Sequence, residues 1–434
     1  MSFRIVGLSI LSGVFILIAG CVGNGSVGSS GGGGGGGNST TVTVTFTGAT
    51  PTAVATQIGS GSYTAVTPAN TITLKLPNGM TNFAVAYVCT VSFPPSGATP
   101  SLEIFQNVVE ASATDGVNLV EASQCATTTG PATGVLTGSI DGSAIPGVMA
   151  FGISQGEGFT GSNLYTGANL GDPDISFSVG EPVGTRRVLV TAYNTAALLA
   201  ARNFDNQPVP GALNNGNTVV LGPADETTSQ TISYNNVPSG FTNTASAGYG
   251  TYAELVMNEF EGVVLAWPAT TQYPVLPAGA IESGDYYLVN TSAGNGEETM
   301  IIVKTSPSGV PIAFTFPPAW GYSGPTPAAL PTFNVAYAGF TGGSGLNYQV
   351  GFYWDPDNDT RAFYYISASG NYLNGSNSIV FPDLTGLPGF YKPASGAIVP
   401  WNAAISKVAY DSTLSSPKNA TTTTISDTGR YLVP

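Results

Sequence analysis

The sequence predicts an all-β protein made of tandem antiparallel β-sandwiches, and three observations carry the prediction. Apolar and polar residues alternate with period two along much of the chain. In Thr41-Val42-Thr43-Val44-Thr45-Phe46-Thr47 this puts Val42, Val44 and Phe46 on one face of a strand and the threonines on the other. Asp115-Gly116, Asn215-Gly216, Asn295-Gly296 and Asn374-Gly375 stand between apolar runs, where positive backbone dihedrals reverse a hairpin. The composition fits packed cores: of 434 residues 42% are hydrophobic and 10% aromatic, and only 8% are charged.

Sparse charge has consequences for function. The net charge is −14 and the pI about 4.1, so nothing here neutralises a row of phosphates, and nucleic acid is excluded as a partner. Histidine is absent, so little on the surface titrates between about pH 5 and 8, and the fold is expected to tolerate mildly acidic surroundings.

Taken in chain order, the first element is an address. Arg4, the apolar run Ile5 to Ile18 and then Ile18-Ala19-Gly20-Cys21 form a charged start, a short apolar core and small residues at a cut site. This resembles the signal peptide and lipobox of bacterial lipoproteins, with Ile18 in place of the commoner leucine. The resemblance implies that residues 1–20 are removed and that Cys21 carries a diacylglyceryl thioether and an amine-linked acyl chain such as palmitate. Several acyl chains on one residue give a stable membrane anchor, where a single one binds only marginally. By that family's sorting rule Val22, where an aspartate would retain the protein at the inner membrane, implies an extracytoplasmic, lipid-anchored protein at the outer membrane or cell surface.

Residues 21–40, with an unbroken run Gly31 to Gly37, hold no side chains that build a core and read as a flexible tether. The G-x-G-x-x-G at Gly23 to Gly28 has no strand before it and no helix after it, so it is not a nucleotide loop.

Behind the tether, polar or Pro/Gly-rich stretches divide the chain into β domains at 41–134, 135–225, 226–325 and 326–434. In the first, Ile72, Leu74 and Leu76, then Phe83, Val85, Tyr87 and Cys89, repeat the strand alternation. Cys89 and Cys125 are the two cysteines left beyond Cys21, and in an exported protein such a pair is most simply a disulfide. Closing that loop stabilises by about 4 kcal/mol on the chain-entropy account. In the second, a strand at Val188 to Tyr193 precedes Thr195 to Arg202, read as a strand or a single turn. Gly152-Ile153-Ser154-Gln155-Gly156 spells the hydrolase elbow G-x-S-x-G, but a serine nucleophile needs a histidine base and the chain has none. Gly156 to Gly161 spells the dinucleotide loop without a helix to follow.

The third section holds Glu254, Glu259 and Glu261. In a strand Glu259 and Glu261 share a face roughly 7 Å apart, a separation at which paired carboxylates hydrolyse glycosides. Trp320-Gly321-Tyr322 lies in a Pro/Gly-rich loop, where Trp320 and Tyr322 offer flat rings to a sugar or an apolar partner; Trp267 and Trp401 stand at strand ends.

The last section, with strands near Phe333 to Tyr337, Tyr348 to Trp354, Ala362 to Ser367, Ser378 to Phe381 and Ala403 to Tyr410, resembles an immunoglobulin or fibronectin-type sandwich. That analogy carries no function. Asp355, Asp357 and Asp359 alternate between two aromatic strands. They read as a solvated hairpin tip, with a weak calcium site as the alternative, because Thr360 and Ile366 occupy positions where an EF-hand loop needs glycine and glutamate. Ser415-Ser416-Pro417-Lys418 spells S-x-x-K, but Pro417 denies it the necessary helix. Asp427-Thr428-Gly429 matches the aspartic-peptidase motif without a second copy and reads as a hairpin turn.

The expected function is non-enzymatic: structural, adhesive or polymer-binding, with no cofactor, no metal and no assigned catalytic residue, and with glycans or envelope proteins as partners besides the membrane. The alternative is an acid-active hydrolase of polysaccharide that uses Glu259 and Glu261.

Overall fold

The computed structural model describes residues 39–47, 49–92, 102–122, 125, 133–155, 163–165, 172–194, 197–250, 262–266, 271–282, 284–340, 345–410 and 420–434. Cys21 and the tether to residue 38 lie outside that range, as do Glu254, Glu259, Glu261, Trp267, the loop at 156–161 and Ser415 to Lys418.

Strands come in four groups along the chain. The first is β1 (Thr40–Thr47), β2 (Ala53–Ile58), β3 (Thr64–Val66), β4 (Thr71–Leu76), β5 (Asn82–Ser92), β6 (Leu102–Ser112) and β7 (Asn118–Ala122). The second is β8 (Thr133–Asp141), β9 (Ala150–Gln155), β10 (Asn163–Tyr165), β11 (Asp174–Pro182), β12 (Gly184–Tyr193), β13 (Leu198–Val209), β14 (Gly211–Ala212) and β15 (Val219–Val220). The third is β16 (Thr228–Asn235), β17 (Thr242–Gly250), β18 (Gly262–Ala266), β19 (Gln272–Val275), β20 (Tyr286–Gly294), β21 (Glu298–Ser306) and β22 (Ile312–Thr315). The fourth is β23 (Thr332–Asn334), β24 (Leu346–Trp354), β25 (Thr360–Ser369), β26 (Ser378–Val380), β27 (Ile398–Tyr410) and β28 (Ala420–Leu432).

The protein is an all-β sandwich fold, and its layers share one long sheet. Twelve strands run in the order β18-β17-β20-β21-β28-β27-β24-β25-β6-β5-β2-β3, so strands of the first, third and fourth groups are hydrogen-bonded together. The joint between the chain's two ends is parallel: β25 pairs with β6 from Thr360 opposite Leu102 to Ala368 opposite Glu110. Smaller sheets lie on this one. β4-β1-β7 covers the β2-β5 end, β19-β16-β22 lies over the β17-β20-β21 end, and β23-β26 packs against the fourth group. The second group forms its own sandwich, β10-β9-β12-β13 against β11-β8-β14, with β15 beside β8.

Alternation places the cores. Val42, Val44 and Phe46 meet Phe83, Val85, Tyr87 and Cys89 in one apolar layer. Ala84, Ala86 and Val88 of the same β5 point the other way, into the core shared with Phe352, Tyr364 and Phe381. A strand with cores on both faces reads as a continuous apolar run, as Phe83 to Cys89 does. Leu136, Phe151, Phe177 and Val190 fill the second-group sandwich, and Tyr273, Tyr287, Phe314 and Ile425 fill the third.

Of the four expected hairpin turns, one reverses a hairpin. Asn295-Gly296 joins the paired β20 and β21, with Gly296 at φ 102° and the Asn295 side chain accepting from the amides of Glu297 and Glu298. Asp115-Gly116 instead carries the chain from β6 to β7, which pairs with β1 in another sheet. Asn215-Gly216 ends a 3-10 turn between β14 and β15, both parallel neighbours of β8. Asn374-Gly375 closes the short helix Gly370–Leu373, with Asn374 in the left-handed region. The dipeptides marked positive φ correctly; partner choice belongs to the strands, which these turns do not dictate. Asp427-Thr428-Gly429 is no turn at all but the interior of β28, and of the stretch Thr195 to Arg202 the residues Leu198 to Arg202 begin the strand β13, while Thr195 and Ala196 lie outside the described residues.

Cys89 and Cys125 form a disulfide with Cα atoms 4.5 Å apart, both buried. Replacing Cys89 by serine is expected to lower the free energy of unfolding by about 4 kcal/mol, read from denaturant titrations under non-reducing conditions.

Two carboxyls lie deep in the first group. Glu121 accepts a 2.8 Å hydrogen bond from the Tyr87 hydroxyl, and burial pushes its pKa up to about 7 against that bond. Burial likewise raises Glu110 to about 7, against a hydrogen bond to Tyr372. Each is protonated in the folded protein at a pH where the unfolded chain, titrating near 4.5, has lost the proton. The associated stability is therefore complete below about pH 4.5 and disappears as pH rises through 7, on the order of 3 kcal/mol per group at most. The thermal unfolding midpoint is expected to rise between pH 7.5 and pH 5, and a fall over that interval contradicts this account.

Candidate functional site

The Trp320 loop is the first place to look for a site, and its geometry is that of a strap. After β22 the chain crosses the ends of two cores, and the half-buried Trp320 packs against both. Its backbone amide and that of Gly321 donate to the Glu298 carboxylate at 2.6 and 3.0 Å, and its indole N–H donates to the Ala336 carbonyl at 2.9 Å. The Tyr337 hydroxyl donates to the Pro318 carbonyl at 2.6 Å, closing the base of the strap. Tyr322 stands 4.6 Å from the Trp320 ring and edge-on to Trp401 at 5.3 Å. Trp320 and Tyr322, expected as offered rings, thus spend their faces on one another and on the cores. Trp401, expected at a strand end, is buried inside β27.

Glu298 faces Asp427 across the β21–β28 pair, so the aspartate of the D-T-G motif sits under the strap beside a second buried carboxylate. Burial, reinforced by the negative charges of Glu298 and Glu297, raises the Asp427 pKa, while the Thr428 amide opposes the rise. Glu298 already serves as acceptor for two strap amides. Such a carboxylate holds a loop rather than activating a water.

The acidic tip at Asp355 to Asp359 joins β24 and β25 as a hairpin, exposed throughout. Asp355 is engaged by Arg361, Nε to Oδ1 at 2.8 Å, and Asp357 accepts from the Asp359 amide at 2.9 Å. Among the described residues no group of three His, Cys, Asp or Glu side chains gathers around one ion position.

The densest ionic cluster ties the second-group sandwich to the third group. Arg187 of β12 reaches Asp285 at 2.8 Å, the Ala280 carbonyl at 3.0 Å, Asn203 at 2.8 Å and Glu282 at 3.2 Å. The Tyr249 hydroxyl donates to the other Asp285 oxygen. A hydrogen bond between the Asp205 and Glu282 carboxyls holds Asp205 below the usual carboxylate range and pushes Glu282 above it. With every member partnered inside the cluster, this is a clamp between two layers.

A different arrangement lies on the long sheet's other face. Beyond β6, among the described residues, none of the four apolar cores lies on the side of the sheet that carries Tyr353, Gln349 and Asn347. Hydroxyls and amides line it together with the half-buried aliphatic side chains Leu288, Ile301, Val303 and Val408. Across neighbouring strands Thr244 bonds Ser292 at 3.0 Å, Ser246 bonds Asn290 at 2.8 Å, Ser406 bonds Thr424 at 2.9 Å and Ser367 bonds Asn347 at 3.2 Å. Ala404, Thr422 and Thr424 are buried at its centre. From β17 to β24 the facing positions of the described strands carry no Asp, Glu, Lys or Arg side chain except Arg430 near one end.

This face ends in stacked aromatic rings. Phe105 of β6 and Phe363 of β25 are 4.8 Å apart with planes 5° from parallel, and Phe363 and Tyr365 are 6.1 Å apart at 14°. Tyr365 lies over Gly351 of the neighbouring β24, so that a Cβ at that glycine would fall inside the ring. Because the three planes are nearly parallel, Phe105 and Phe363 lean the same way, like shingles. Tyr353 closes the group 5.7 Å from Phe363, with Arg361 5.5 Å over its own ring. The signal for this stack was in the sequence, where Phe352-Tyr353-Trp354 and Phe363-Tyr364-Tyr365 flank the acidic tip. Alternation alone does not say which ring of each triplet faces inward.

No family model matches the chain, and a search of curated proteins finds no relative.

Replacing Glu298 by alanine is expected to leave the Trp320 and Gly321 amides unpaired and to cost about 1–3 kcal/mol, with faster proteolysis within residues 317–331 and red-shifted tryptophan emission. A variant with unchanged stability and cleavage would show that the strap is held by its rings alone. Gly429→Ala places a methyl 2.6 Å from Cζ2 of Trp401 and is expected to cost about 1–3 kcal/mol by overpacking, read from the same melts.

Proposed function

We propose that this chain is a lipid-anchored extracytoplasmic protein, at the outer membrane or cell surface, whose β-sandwich ectodomain holds an extracellular polymer by surface contact. The anchor reading rests on the apolar run to Ile18 and the cysteine at 21, and the glycine run supplies reach between membrane and fold. The observation that carries the polymer reading is the weakly charged face of the long sheet, where hydroxyls and amides alternate with aliphatic side chains and end in the leaning aromatic stack. An extended flat surface suits a long ligand, since many weak contacts along it add up where a small molecule would find no enclosure. Glycans are the favoured partners, and envelope proteins are the other class to screen. The strapped Glu298 and Asp427 pair and the closed Arg187 cluster belong to the scaffold.

Full-length protein, solubilised in detergent, is mixed with insoluble polysaccharides at pH 4 and pH 7 while soluble sugar is monitored. Retention on polysaccharide with no released product is expected at both values. Release of reducing ends would replace this proposal with hydrolysis, and absence of retention on any polysaccharide would remove the glycan partner. In the same host, Cys21→Ala is expected to move the protein out of the membrane fraction.

A further inference from the structure

We infer that the aromatic corner at β24, β25 and β6 is a saccharide subsite, in which Tyr365 stacks on the apolar face of one sugar unit of an uncharged polysaccharide while Asn402 hydrogen-bonds its hydroxyls. The inference rests on the polymer-binding reading above and adds the place and the ligand chemistry.

Three features of the corner lead there. The first is the pose of Tyr365. Its ring occupies the space that a side chain at Gly351 would fill, which lays it down along the sheet instead of standing it upright. The ring is half-buried, and engaging the part left exposed costs little further entropy, because its neighbours already fix it. The second is the set of polar groups around it. Asn402 is the register partner of Gly351, and its side-chain oxygen lies 3.0 Å from the Cβ position of that glycine, beside the ring. Gln349 and Asn347 continue the same row of β24. The third is charge. Arg361 is stacked on Tyr353 and paired with Asp355, and Glu103, its register partner on β6, sets a negative charge towards Tyr365, so among the described residues no free cation stands beside the ring.

A pyranose ring matches this combination. Its axial C–H groups form a weakly positive apolar face that fits the negative face of an aromatic ring, and its equatorial hydroxyls need amide and hydroxyl partners in the ring plane. An anionic polymer would find no cation beside Tyr365, since Arg361 is already engaged.

Affinity electrophoresis of the full-length protein through gels containing a neutral glucan or a polyuronate tests the assignment, with thermal melts of each variant as the folding control. The wild-type protein is expected to be retarded by the neutral polymer and not by the polyuronate. Tyr365→Ala is expected to weaken that binding about tenfold, Asn402→Ala several-fold, and Tyr365→Phe little, since the phenyl ring keeps the stack. Should Tyr365→Ala fail to fold, Asn402→Ala decides, because it leaves the ring stack in place. Retardation by neutral glucan that is unchanged in both alanine variants would overturn the subsite while leaving polymer binding intact. Retardation by polyuronate alone would overturn the ligand class. Absence of retardation by either polymer would overturn this inference, and the polymer-binding proposal falls with it only if insoluble polysaccharides also fail to retain the protein.

Discussion

The parallel pairing of β6 with β25 is the constraint on which the rest of this protein depends. Remove it and the twelve-stranded sheet separates into an N-terminal piece ending at β6 and a C-terminal piece beginning at β25. The core containing Ala84, Val108, Phe352 and Tyr364 draws residues from both pieces, so it would be cut open at the same place. Side chains reinforce the joint on both faces. Phe105 stacks on Phe363 on one side, and on the other the Asn371 side chain reaches Asp115 at 2.6 Å while Asn82 reaches the Tyr372 carbonyl at 3.0 Å. A parallel pair needs a long crossover, and here the crossover is most of the protein. Pairings between such distant segments form late and slowly, because loop closure must precede the contacts that reward it.

Scarcity of charge shapes the interior as well as the surface. The carboxyls that are buried fall into two kinds. Asp285, Asp225 and Glu298 are held by arginine or by backbone amides, so their burial is compensated by hydrogen bonds. At Glu110 and Glu121 burial outweighs a tyrosine hydrogen bond and tips the carboxyl toward the neutral form. A chain without histidine lacks the side chain that ordinarily titrates as the medium turns mildly acid. The two raised carboxyls go further and make mild acid the favoured condition.

The surface that remains for recognition follows from how the cores were covered. Each smaller sheet, the strap and the loops of the fourth group all settle on faces with large apolar side chains, leaving among the described residues the mixed hydroxyl, amide and aliphatic face of β17 to β24 outside every core. At its border with the first group, rings that would be half-exposed lean on each other. Gly351 is the residue that makes this possible, since any side chain there would evict Tyr365.

Much of the architecture was legible in the sequence because it is local. Strand content, the inward faces of β1, β4 and β5, the Cys89–Cys125 bond and the exposed tip at Asp355 follow from alternation and residue type within short windows. Tertiary structure decided which strands pair, and this the sequence does not disclose, because ladder hydrogen bonds run between backbone groups common to all residues. That is why Asp115-Gly116 and Asn374-Gly375 look like hairpin turns yet pass between sheets, and why Asp427 looks like a turn and lies mid-strand under a strap. The stack of Phe105 on Phe363 joins residues more than two hundred positions apart. Only the folded sheet brings them together, and with them a surface where rings and uncharged polar groups meet.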